Sequence, residues 1–89
     1  MIQRQVEIIN KLGLHARAAA KFVTLASGFE SEVQLGLKGN QVNGKSIMGV
    51  MMLAAAKGTQ LDIMVEGPDE QEAIEKLCEL IAHRFDEES

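Results

Sequence analysis

Gly13-Leu14-His15-Ala16-Arg17-Ala18-Ala19-Ala20-Lys21-Phe22-Val23 sets a histidine where a loop becomes a helix, with an arginine two residues further on. From Ala16 the residues are good helix formers. Ala19, Phe22, Val23 and Ala26 fall at i, i+3, i+4 and i+7, the apolar face of an amphipathic helix over residues 16–27. Gly28 is expected to end it. His15 then stands at or beside the N-cap, where the first backbone N–H groups lack an intrahelical acceptor and the helix dipole presents partial positive charge. Such a position attracts anions.

A phosphoryl group on His15 would accept hydrogen bonds from the N–H groups of Ala16 and Arg17, while the Arg17 guanidinium offers a charge-assisted fork. Imidazole also keeps a nucleophilic nitrogen free near neutral pH. The bland alternative is a histidine that merely caps a helix, and for an isolated His it would be the better reading. Here a glycine, a cap position and an arginine coincide, which favours a phosphohistidine site.

Working outward, the remaining residues supply strands and two further helices. Ile2, Val6 and Ile8 alternate with Gln3, Gln5 and Glu7, a strand with one wet face, although Arg4 interrupts the apolar row and is expected near the strand's end. Val33, Leu35 and Leu37 alternate with Glu32, Gln34 and Gly36 in a second strand. Lys38-Gly39-Asn40 is read as a turn and Gln41-Val42-Asn43 as a short return strand, which makes a hairpin. Ser46 reads as the N-cap of a short helix through Ile47 to Leu53. Lys57-Gly58 breaks the pattern before Leu61, Ile63 and Val65 form the last strand, which Gly67-Pro68 ends. Asp69 with Glu72 looks like a capping pair, and Ala73, Ile74, Leu77, Ile81 and Phe85 form one helical stripe. The tail Asp86-Glu87-Glu88-Ser89 is expected to be solvated and frayed. The order βαββαβα predicts an α+β fold: an antiparallel sheet with three helices packed on one face.

Composition narrows the function classes. A chain of 89 residues is expected to form one domain, 1–89, with nearly every apolar residue needed for a shared core. No apolar run approaches a membrane span, and Met1-Ile2-Gln3-Arg4 does not read as a signal peptide, so a cytoplasmic protein without membrane insertion is expected. A lone cysteine, Cys78, has no internal disulfide partner; it is expected as a small buried or half-buried filler. Through Gly49 six Lys and Arg face three acids, and from Val50 onward three face ten, so halves of +3 and −7 make up the net −4. The histidine end is mildly basic. With no Trp or Tyr and three Phe there is no stacking platform, and nucleic acid is not expected as a partner.

Lys11-Leu12-Gly13-Leu14-His15-Ala16-Arg17 and Asn43-Gly44-Lys45-Ser46-Ile47-Met48-Gly49 together resemble the HPr family, the histidine phosphocarriers of the phosphoenolpyruvate-dependent phosphotransferase system, with its nitrogen-branch relative NPr. The likeness spans essentially the whole chain. It implies an HPr-like open-faced sandwich, a four-stranded sheet with the first and last strands adjacent. It also implies a protein that is not an enzyme with turnover but a carrier. On this resemblance His15 accepts phosphate on Nδ1 from phosphorylated enzyme I and donates it to enzyme IIA domains in sugar transport and its regulation. Arg17 and the amides of Ala16 and Arg17 hold the phosphate, with no cofactor. One departure is Ala18, where the family usually has proline; proline suits a helix's first turn without being required there.

The resemblance also makes Ser46, first of all an N-cap, the serine that an HPr kinase/phosphorylase modifies in some bacteria. Phosphate there would put nearly two negative charges beside the partner surface. That surface is implied to comprise Arg17, Ala20 and Thr24 of the first helix with Ile47, Met48 and Met51 of the second. The methionines have a plainer reading as core filler, but if Val50 and Leu53 face the sheet, Ile47, Met48 and Met51 face outward and suit several partners in turn. A monomer is expected. Gly39-Asn40-Gln41-Val42-Asn43-Gly44-Lys45-Ser46 also fits the P-loop pattern letter for letter, but the preceding strand alternates and the chain is too short for a buried parallel sheet, so nucleotide binding is rejected. Cys78 and His83, five apart on the last helix, do not share a face, and no metal site is expected. The readings set against the carrier are the nitrogen-branch role, a regulatory adaptor that carries no phosphate, and an acylphosphatase-like hydrolase.

Overall fold

The structure, a computed structural model, describes residues 1–87. The chain runs β1 (Ile2–Glu7), α1 (Ala16–Ser27), β2 (Glu32–Leu37), β3 (Asn40–Asn43), α2 (Ile47–Met52), β4 (Gln60–Glu66) and α3 (Glu70–Ala82), followed by a 3-10 turn over Arg84–Asp86. All strand pairs are antiparallel, in the order β1-β4-β2-β3. The first and last strands are therefore neighbours, as the family resemblance implies. Gly39 does not precede a phosphate cradle, because Asn40–Asn43 of the P-loop-like run are a sheet strand paired to β2.

Pairing register decides which side chains share a face. Val6 lies opposite Leu61, Val33 opposite Val65, and Leu35 opposite both Ile63 and Val42. These apolar residues stand on the helix-covered side, and the alternating Gln3, Gln5, Gln34 and Asn43 are exposed. Onto that sheet face α1 buries Ala19, Phe22, Val23 and Ala26, α2 buries Val50, and α3 buries Ala73, Ile74, Leu77 and Ile81. Lys38 and Gly39 both have positive φ, 51° and 86°, as a two-residue hairpin with a primed turn requires, so Asn40 belongs to the strand and not to the turn.

Four further expectations need correction. Arg4 is not at the strand's end: it pairs with Ile63 in mid-strand. It is tolerated there because β1 is an edge strand, from which its guanidinium reaches the half-buried Cys78 thiol of α3. Burial pushes that thiol up, and Arg4 only partly opposes the effect. Asp69 and Glu72 do not form a capping pair. The Asp69 side chain makes no cap bond; its carboxylate accepts instead from the Glu30 and Ser31 N–H groups and the Ser31 hydroxyl, and Glu70 takes the Gly67 N–H. A local rule lost to a longer-range tie between the loop before β2 and the head of α3. Phe85 is buried but does not continue the α3 stripe, since the helix ends at Ala82 and the chain turns left-handed at Arg84, Phe85 and Asp86. Nor is the tail wholly solvated: Glu87 is half-buried and hydrogen-bonded, while Glu88 and Ser89 lie outside the described residues.

Candidate phosphoryl site at the head of the first helix

The loop from β1 to α1 is shaped by Gly13 and Asn10. Gly13 adopts φ +68°, and a Cβ there would collide with the Ala55 carbonyl oxygen, so only glycine fits this close approach. Leu14 N–H donates to the same carbonyl at 2.9 Å, which ties the loop to the segment after α2. Asn10 is fully buried and its Nδ2 donates to Gly13 O at 2.8 Å, locking the turn that delivers residue 15 to the helix start.

His15 is the N-cap of α1, with φ −76° and ψ 178°, and its side chain makes no cap bond. The first helical hydrogen bond runs from Ala19 N–H to His15 O at 2.9 Å, so the amides of Ala16, Arg17 and Ala18 precede it without a carbonyl in their own helix. No acidic side chain occupies that first turn. Ala18 is buried, and because it is not proline it contributes a third donor. Gly28 closes the helix as expected, but in the right-handed region, its N–H turning back to the Leu25 carbonyl and that of Phe29 to the Ala26 carbonyl.

The His15 side chain is 27% exposed, on open surface, and its Nε2 is bonded to a Glu87 carboxylate oxygen. Nδ1 has no hydrogen-bond partner among the described residues. Glu87 also accepts from Asn10 Nδ2 at 2.9 Å. Burial opposes the charge on Glu87, but the hydrogen bonds from Asn10 and His15, aided by the nearby His15 and Lys21, prevail and hold its carboxyl below the ordinary carboxylate value. Lys21, one turn and a half along α1, donates to Phe85 O at 2.8 Å. Arg17 is exposed. Asn10, Lys21 and Glu87 were not legible as site residues. Their signal is tertiary, with Glu87 lying 72 residues from His15 in the chain.

The other expected residues lie on α1 and on α2, which packs against it. Ser46 is half-buried at the head of α2, where its Oγ accepts from Gly49 N–H at 3.1 Å. Val50 is buried and Leu53 partly so, and beyond them Ile47, Met48 and Met51 are exposed by 44, 76 and 41%. Thr24 is exposed and Ala20 half-buried on α1, which packs against α2. Met52 and Leu12 are also exposed, by 78 and 68%, which was not expected. Among the described residues no group of His, Cys, Asp and Glu is arranged to hold a metal, and no helix is long and apolar enough to cross a membrane.

The family model described as the PTS HPr component phosphorylation site matches residues 2–83. A phosphocarrier protein HPr from Cupriavidus necator is 58% identical over 87 residues, covering 98% of both chains. A crystal structure of HPr-C-His from Thermoanaerobacter tengcongensis superimposes with a TM-score of 0.96 at 46% identity, each chain covered completely. The crystal structure of an HPr dimer from the same organism gives a TM-score of 0.79 at 46% identity, covering 98% of this chain and 100% of the other. With its sheet order, its histidine-capped helix and these likenesses together, the chain belongs to the HPr family of phosphocarrier proteins, non-enzymatic components of the phosphotransferase system.

Proposed function

We propose that His15 accepts a phosphoryl group from phosphorylated enzyme I and passes it to the histidine of an enzyme IIA domain. The observation that carries this reading is an imidazole at a helix N-cap whose side chain leaves the first three amides of the helix free. In the transfer, a lone pair of the His15 ring attacks phosphorus, a new N–P bond forms, and the donor's N–P bond breaks with its pair returning to the donor nitrogen. The Ala16 and Arg17 amides and the Arg17 guanidinium then face the phosphate oxygens, compensating charge that a metal would otherwise carry. Compensation by one exposed guanidinium and backbone dipoles is moderate, so the group can leave again.

Docking uses the apolar surface of Met48, Met51 and Ile47 beside Ala20 and Thr24, whose flexible thioethers can fit a donor and several acceptors. Phosphate on Ser46, placed by an HPr kinase/phosphorylase, would set a dianion on that surface and weaken docking. The chain works as a cytoplasmic monomer on this reading, which sedimentation at micromolar concentration checks. The deciding experiment mixes the chain, phosphoenolpyruvate and enzyme I of the sugar or the nitrogen branch. An acid-labile, base-stable phosphate that disappears in His15→Ala supports the carrier, and the enzyme I that loads it identifies the branch. Steady release of inorganic phosphate, or no labelling by either enzyme I, overturns it.

A further inference from the structure

We propose that Glu87 is a positioning residue of the phosphoryl site: it holds the proton of His15 Nε2 and thereby leaves the ring's lone pair on Nδ1. The inference rests on the carrier reading of His15 and adds to it a residue from the far end of the chain.

The segment that delivers Glu87 is built with care for its path. Arg84, Phe85 and Asp86 have φ of 56°, 53° and 63°, a left-handed turn of three non-glycine residues. Left-handed backbone is strained for residues with a Cβ, so the turn persists only where its surroundings fix it. They do so from two sides. Phe85 is fully buried in the core, and its carbonyl accepts from Lys21 Nζ at 2.8 Å. Glu87 follows directly, with one carboxylate oxygen accepting from the buried Asn10 Nδ2 at 2.9 Å and the other on His15 Nε2. Asn10 Nδ2 serves Gly13 O as well, so the loop that shapes the helix start and the tail that meets the ring share one amide.

The chemistry follows from what a carboxylate can do. An ionised carboxylate only accepts hydrogen bonds, so the nitrogen facing it must carry the proton. The neutral ring then bears N–H at Nε2 and a lone pair at Nδ1. When Nδ1 bonds to phosphorus the ring becomes a phosphoimidazolium with Nε2–H still in place, and its positive charge forms against the Glu87 carboxylate. No proton moves, and on onward transfer the same tautomer returns. A carboxylate behind one imidazole nitrogen that orients the ring and steadies the cation formed at the other is the arrangement by which catalytic triads and metal-bound histidines are set.

The test uses the full chain, labelled with nitrogen-15, and the variants Glu87→Gln and Glu87→Ala. In the wild type, imidazole proton–nitrogen correlation at neutral pH should show His15 protonated on Nε2, with a downfield, slowly exchanging Nε2 proton. Glu87→Gln can still accept from Asn10, so it keeps the tail in place while removing the charge. It should lose that proton signal and take phosphate from phosphorylated enzyme I on the order of tenfold more slowly. A Glu87 that only fastened the tail would give wild-type rates in Glu87→Gln and a slow rate in Glu87→Ala alone, and that pattern overturns the proposal. So does a wild-type His15 protonated on Nδ1. Failure of the wild type to take phosphate from any enzyme I instead overturns the carrier reading beneath it.

Discussion

Helices α1 and α2 start in similar ways and use their first residue differently. Both N-caps are extended, His15 at φ −76°, ψ 178° and Ser46 at φ −116°, ψ 117°. Ser46 turns its hydroxyl inward to Gly49 N–H and satisfies its own helix. His15 turns its ring away, toward Glu87, and leaves the amides behind it open. A helix can be capped for stability or left uncapped to bind an anion, and on the proposed reading this molecule does each once, on helices that pack together. Asp69 of α3 is a third case, a capping residue diverted to another part of the chain.

The sharpest break of that comparison is His15→Ala. It should abolish phosphate uptake while lowering the thermal midpoint by less than about 5 °C, since no cap bond is lost. Scanning calorimetry beside the enzyme I assay checks both halves. Next in size is Met48→Asp, which places a charge on the surface shared by the two helices. Transfer should slow by about tenfold or more, with stability changed by less than about 0.5 kcal/mol because the side chain is 76% exposed. A wild-type rate in that variant would remove α2 from the docking surface.

Ser46 provides the reciprocal pair. Ser46→Ala should lose about 1 kcal/mol in urea unfolding and leave uptake intact. Ser46→Asp keeps a capping oxygen, hence nearly the wild-type stability, and should slow uptake by charge alone. Together they separate the capping role of this residue from its place beside the proposed docking surface. The smallest effect concerns acid. The Ser31 hydroxyl, then the Glu30 amide, hold the Asp69 carboxyl below its ordinary value. A group whose folded value is depressed contributes stability in full above its unfolded value, about 3.9, and loses it as pH falls through the folded value. Urea midpoints of the wild type and Asp69→Asn should therefore converge below about pH 4 and stay apart above it. A gap independent of pH would count against the Asp69 tie.

The candidate site was legible wherever it is local. Gly13, His15, Ala16 and Arg17 lie within one turn of chain, and a glycine, a cap position and a cation in that span have physical meaning without knowledge of the fold. The same holds for Ser46, whose cap contact reaches three residues ahead. Arg4 misled because apolar alternation does not say whether a strand lies at the edge of its sheet. Asp69 misled because a capping rule cannot see Ser31 arriving from the loop before β2. The tail misled most. Its acidic composition reads as solvated, and nothing nearby announces that Phe85 is buried or that Lys21 waits for its carbonyl.

By itself, then, the sequence determined the order of elements, the faces they bury and the histidine at the head of α1, because those properties depend on period and on neighbours a few residues apart. Tertiary structure alone decided that Arg4 escapes at an edge and that Glu87 meets His15. The reason is physical: a contact across 72 residues leaves no periodic trace, and exists only because burying Phe85 brings the end of the chain back to its first helix.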